Sequence, residues 1–159
     1  MNAFPGGAPE RSAAVTVVVA GGQGAGKTCF LRAAGHGHTT LAGLWEVSHV
    51  TLPGGVTVVL RAMPERRRWW WVWDQLAVDA VGMVVLVDTT CLPASYPVLD
   101  YVEARHLPFL VAINRPLGGA RNRREIRGAL RVDAQVPVLT CDATEPESVM
   151  AVLRHLITL

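Results

Sequence analysis

The octapeptide Gly21-Gly22-Gln23-Gly24-Ala25-Gly26-Lys27-Thr28 restricts this chain more than any other feature. It fits G-x-x-x-x-G-K-[ST] at every position, and its surroundings are as specific as its letters. Residues 14–20 before it are β-branched and almost continuously apolar, the pattern of a strand covered on both faces. Residues 27–34 after it read as a helix. Glycines let the backbone curl until successive N–H groups point inward, and a helix start adds its positive dipole end. The spacing therefore builds a phosphate cradle from Gly21, Gly24, Ala25 and Gly26, with Lys27 reaching the outer phosphates of a nucleotide. The Thr28 hydroxyl is placed to hold Mg²⁺. A dinucleotide fingerprint counted from Gly22 fails, because it needs glycine where Lys27 stands. Of 15 basic residues, Lys27 is the sole lysine. It falls where a compact ammonium is the usual choice.

The rest of the chain reads as alternating strands and helices. Residues 35–40, Gly-His-Gly-His-Thr-Thr, break the first helix. Residues 44–52 and 56–60 flank Pro53-Gly54-Gly55 as a hairpin. A polar loop over 61–68 leads to an aromatic helix over 69–80. Strands follow at 81–88, 108–114 and 136–141, and helices at 96–105, 120–130 and 145–156. This alternation predicts an α/β sandwich of three layers with right-handed crossovers. Its sheet should hold six strands, mostly parallel, with one antiparallel strand from the hairpin. Residues 1–12 read as a loose tail and 13–159 as one domain.

Composition removes several function classes. Half the chain is hydrophobic and 18% is charged, which argues against disorder. A formal charge of +2 does not announce a nucleic-acid binder. Cys29, Cys91 and Cys141 are widely separated with no C-x-x-C pair, which fits a reducing compartment. No apolar run approaches a membrane span, and no lipidation signal is present. The expectation is a cytoplasmic protein that reaches a membrane only through a partner.

Four stretches carry a resemblance. Residues 70–76 (Trp-Trp-Val-Trp-Asp-Gln-Leu), 82–89 (Gly-Met-Val-Val-Leu-Val-Asp-Thr), 107–114 (Leu-Pro-Phe-Leu-Val-Ala-Ile-Asn) and Cys141-Asp142-Ala143 with Glu147-Ser148-Val149 are similar to the small GTP-binding proteins of actinobacterial conservons. The similarity covers residues 14–158 but is poor over 29–68, where such proteins carry their two nucleotide switches. It implies a Ras-like P-loop fold, GTP or GDP with Mg²⁺ as ligands, and protein partners. Those partners would be a roadblock (longin-type) protein and an active paralogous GTPase.

The resemblance also shows what is altered. Thr39 or Thr40 would have to supply the switch I threonine that completes the Mg²⁺ shell. Otherwise the segment is an ordinary polar loop. In switch II the family's Pro-Gly-Gln becomes Pro64-Glu65-Arg66, which brings a carboxylate towards the γ-phosphate and replaces the water-orienting glutamine. Arg66 cannot accept a hydrogen bond from water. It is either an internal arginine finger or part of a solvated run. At the aligned Walker-B position Ala62 offers no metal ligand, so hydrolysis should be very slow or absent. Asn114-Arg115-Pro116-Leu117 replaces Asn-Lys-x-Asp. Asn114 can brace its loop and Arg115 can stack on a base, but Leu117 cannot make the carboxylate contact that selects guanine. The Ala143 N–H, beside Asp142, is the expected contact for a base oxygen.

The remaining features divide between structure and partner binding. Trp69, Trp70, Trp71 and Trp73 cannot share one core stripe. Arg66, Arg67, Arg68, Trp70 and Trp71 therefore read as a partner surface. Asp88 is either a metal ligand, as in a small ATPase or kinase, or structural, on a strand lying one position further out. The pair His36 and His38 lacks further metal ligands.

Overall fold

The structure, a computed structural model, describes residues 13–65, 70–114 and 122–159, with Trp70 described in its backbone alone. The expected tail over 1–12, Arg66, Arg67, Arg68, Trp69, the Trp70 indole, Arg115, Pro116 and Leu117 lie outside the described residues.

Strands run β1 (Ala14–Gly21), β2 (His36–Leu41), β3 (Trp45–Thr51), β4 (Thr57–Ala62), β5 (Ala80–Asp88), β6 (Phe109–Asn114) and β7 (Val138–Cys141). Helices are α1 (Lys27–Ala34), α2 (Trp70–Ala77), α3 (Tyr96–Ala104), α4 (Arg123–Leu130) and α5 (Pro146–Ile157). Among the described residues these seven strands form one sheet in the order β2-β3-β4-β1-β5-β6-β7. β3 runs antiparallel to both its neighbours, and the other pairings are parallel.

Period-two alternation sorts the central strands between two cores. Val17 and Val19 pack with Phe30 and Leu31 of α1 and with Val149, Val152 and Leu153 of α5. Val18 and Ala20 face the opposite layer, with Val72 and Trp73 of α2, Leu99 and Val102 of α3, and Ile126 of α4. Helices thus cover both faces, as expected.

The sheet has seven strands where six were expected. The extra one is β2, in the segment taken for a helix-breaking loop. It pairs with β3 through Thr39↔Val47 and Thr40↔Glu46, and its residues are almost all exposed. An edge strand wet on both faces carries no apolar alternation, so periodicity does not reveal it. Residues 42–44 close the hairpin between the paired Leu41 and Trp45, with positive φ at Ala42 (52°) and Gly43 (65°) and the Leu44 N–H donating to the Leu41 carbonyl at 3.0 Å. Both signs belong to the I′ turn that matches strand twist. β5 pairs directly with β1, so Asp88 does not lie on a strand one position further out. Among the described residues no helix is long and apolar enough to cross a membrane.

Packing at two glycines gives a test of this frame. A Cβ on Gly35, between α1 and β2, would sit 2.0 Å from the His49 carbonyl oxygen, whereas one on the exposed Gly128 of α4 would meet nothing. Gly35→Ala should destabilise by about 1–3 kcal/mol. Gly128→Ala should stabilise by about 0.5–1 kcal/mol. Chemical denaturation of both variants measures each effect.

Candidate phosphate-binding site

The loop between β1 and α1 curls as its glycines allow. Gly26 holds φ at 102°, and a Cβ there would lie 2.3 Å from the Asn114 amide nitrogen. Both facts require glycine. The Phe30 N–H donates to the Gly26 carbonyl at 2.9 Å, which starts α1 immediately after the loop.

Lys27 is turned into this curl and is 8% exposed. Its Nζ donates to the carbonyl oxygens of Gly21 (2.8 Å) and Gly22 (3.1 Å) and to Glu65 Oε1 (3.1 Å). Those three acceptors match the three protons of an ammonium. Burial lowers the Lys27 pKa, and the Glu65 charge and hydrogen bond oppose that shift.

Thr28 faces a second carboxylate. Its hydroxyl donates to Glu46 Oε1 at 2.8 Å, while Glu46 Oε2 lies 3.0 Å from His38 Nε2. Burial disfavours the Glu46 charge, but the hydrogen bonds from His38 and Thr28 outweigh it and hold the carboxyl below its ordinary value. A cavity of about 760 Å³ joins these groups, lined by Gly24, Gly26, Lys27 and Thr28, by residues 43–46, and by residues 62–65.

Of the phosphate-end residues, the structure brings Gly24, Gly26, Lys27 and Thr28 to the cavity wall. Gly21 and Ala25 act through carbonyls, the first on Lys27 and the second accepting from Asn114 Nδ2 at 3.0 Å. Thr39 and Thr40 are not brought in. They sit exposed on the edge strand β2, outside the cavity lining, and Glu46 is the residue beside Thr28. Sequence reading missed Glu46, and the one available signal was an acidic side chain opening the hairpin strand. Ala62 does line the cavity.

At the base end, Asn114 is a brace. Its Oδ1 accepts the Ala143 N–H at 3.1 Å, so the N–H expected to meet a base is engaged within the protein. Asp142 Oδ1 accepts from the Thr144 N–H (2.9 Å) and hydroxyl (2.6 Å), closing a local turn that lowers the carboxyl's pKa. Neither Asn114, Asp142 nor Ala143 lines the cavity. Asp88 is likewise absent from that lining, and its carboxylate caps the N–H and hydroxyl of Thr90 at 2.8 and 2.7 Å.

Trp73 anchors helix α2. Trp73, 6% exposed, donates from Nε1 to the Pro64 carbonyl at 2.9 Å and meets Tyr101 edge-on at 5.2 Å between centroids. Tyr101 donates to Asp74 at 2.9 Å, and its own pKa is raised to about 12 by burial and that bond. Trp71 is 42% exposed on the same helix.

Neither a known protein family nor a curated protein matches the sequence. Solved structures do. The Arl6 BBS3 small GTPase of Trypanosoma brucei, solved with the nucleotide analogue GppNp, superposes with a TM-score of 0.73 at 16% identity, over 92% of this chain and 96% of that one. The G domain of the T. maritima FeoB iron transporter gives 0.69 at 19%, over 91% and 98%. The FeoB G-domain of Methanococcus jannaschii gives 0.66 at 16%, over 92% and 96%. The chain therefore has the fold of the small GTPases.

Glu46 makes the acid limb of stability testable. Because its folded pKa lies below the ordinary 4.5, it contributes stability above that value and loses it as pH falls through the folded one. Between about pH 5 and pH 3 the wild type should lose stability, and Glu46→Gln should lose it less steeply. Denaturation midpoints across that range measure the difference.

Proposed function

We propose that this chain is a nucleotide-binding regulatory protein of the small-GTPase type that hydrolyses its nucleotide very slowly or not at all. The observation that carries this reading is the P-loop: Lys27 and Thr28 stand at a strand-to-helix junction facing a cavity of about 760 Å³. GTP and GDP are the ligands the fold relatives and the resemblance favour, with weakened guanine selection at Leu117 and Arg115.

Mg²⁺ fits the residues present. Thr28 and Glu46 offer one hydroxyl and one carboxylate, and among the described residues no three His, Cys, Asp or Glu gather to form a full protein cage. Mg²⁺ is usually held by few protein oxygens plus phosphates and waters. Thr28 and Glu46 would hold it, and the ion would neutralise phosphate charge. Slow turnover follows from Ala62, whose methyl supplies no metal ligand in the cavity wall, and from Arg66 at the aligned glutamine position.

A nucleotide-free docking scaffold is the second reading, because the three protons of Lys27 are already satisfied within the protein. Titration calorimetry with GDP, GTP-γ-S, ADP and ATP-γ-S in Mg²⁺ separates the two. Binding without phosphate release, lost by about a hundredfold or more in Lys27→Ala, is the expected result. A folded protein that binds none of the four sinks the nucleotide reading and leaves the scaffold. Preference for the adenine pair with turnover would instead make it an ATPase or kinase.

The partner surface is assigned to α2, whose Trp71 (42% exposed) and Val78 (82% exposed) beyond its end face outward. A roadblock (longin-type) protein or an active GTPase paralogue is the proposed occupant. Trp71→Ala should weaken that complex at least tenfold while leaving the melting temperature within a few degrees. An unchanged affinity would remove α2 from the interface.

A further inference from the structure

Glu65 is not an incidental surface acid. The two residues before it are tied down: the Met63 N–H donates to the Val19 carbonyl at 2.8 Å, and the Pro64 carbonyl accepts from Trp73 Nε1 at 2.9 Å. The first bond ties the segment to β1 and the second to α2. Glu65 also lines both the P-loop cavity and a second one of about 380 Å³ against Gly21, Gly22 and Ala94, so it stands as the partition between them. From this seat its carboxylate accepts one hydrogen bond from the Lys27 ammonium at 3.1 Å, while the Gly21 and Gly22 carbonyls accept the other two.

In a P-loop that ammonium is the group shared between the β- and γ-phosphates. Here an anion supplied by the chain already holds one of its bonds, approaching from the segment that follows β4. We propose that Glu65 stands in for the terminal phosphate and makes the site selective for nucleoside diphosphates over triphosphates. A diphosphate needs only to compete with lysine–carbonyl contacts and leaves the Lys27–Glu65 pair intact. A triphosphate brings its terminal phosphate against a carboxylate and must break that pair, and like charges brought together in a partly dry site repel strongly. The consequence is a protein held in one nucleotide state irrespective of hydrolysis.

This inference rests on the nucleotide reading, and its test keeps the two apart. Calorimetry of the full chain with GDP and GppNp in Mg²⁺, repeated with ADP and its imido triphosphate, compares wild type, Glu65→Gln and the distant surface variant Glu103→Gln. The wild type should bind the diphosphate about tenfold or more tightly than the triphosphate. Glu65→Gln should close most of that gap by improving the triphosphate, with Glu103→Gln unchanged. Equal wild-type affinities overturn the proposal without any variant having to fold. An equal improvement of both ligands in Glu65→Gln also overturns it, because Glu65 would then oppose all phosphate rather than the terminal one. Failure of every nucleotide to bind folded wild type and folded Glu65→Gln removes the nucleotide reading itself.

Discussion

A buried ammonium has to find an acceptor for each of its protons, and at Lys27 that requirement organises everything near it. Two of the acceptors are carbonyls of the loop that carries the lysine, at Gly21 and Gly22, so the side chain fastens the curl in which it sits. The third is Glu65, which ties the loop to the segment leaving β4. The curl is possible because Gly24 and Gly26 take positive φ of 74° and 102°. It is placed because β1, buried from Thr16 to Gly21, runs down the middle of the sheet and ends there. Core packing thus determines where the ammonium is delivered, and the ammonium determines how the loop around it closes.

The charge balance of the cavity follows from that arrangement. One lysine faces two carboxylates, Glu46 and Glu65, with His38 sharing the first. Sites that collect polyphosphates normally present a surplus of positive potential. Here the surplus is left to backbone N–H groups and the start of α1. A polyphosphate entering such a site needs a cation with it. Thr28 and Glu46, 2.8 Å apart, are the pair of hard oxygens best placed to receive one. Under the proposed nucleotide reading, metal dependence of binding is then an electrostatic requirement of these residues before it is a feature of any chemistry.

The strand–helix alternation and the phosphate loop were legible in sequence for a common reason: both are written in residues with few substitutes. Continuous apolar runs mark strands covered on both faces, and the spaced glycines with Lys27 and Thr28 mark the loop. What escaped reading lies where the backbone does the work. β2 forms from exposed polar residues whose strand state is set by pairing with β3, and its turn puts a non-glycine residue, Ala42, at positive φ. The side chain at Thr28 is Glu46 rather than Thr39 or Thr40 because that hairpin turns at residues 42–44 and presents the start of β3 to the cavity, a register no local pattern announces. Asn114 was legible as a brace, but that its second bond would occupy the Ala143 N–H depends on the distance between two loops far apart in sequence.

Fold and turnover place different demands on the same strand end. At the aligned Walker-B position a hydrolase keeps a carboxylate, which must be held against desolvation beside the central strand. Ala62 occupies that point at 5% exposure and packs in the apolar cluster with Val19 and Leu60. A methyl there carries no charge-burial penalty and adds apolar contact to the cluster. The acid of this segment is Glu65, three residues on, 38% exposed and paired with Lys27. From there its carboxylate neutralises the loop's ammonium within the chain, so the curl closes on its own charge.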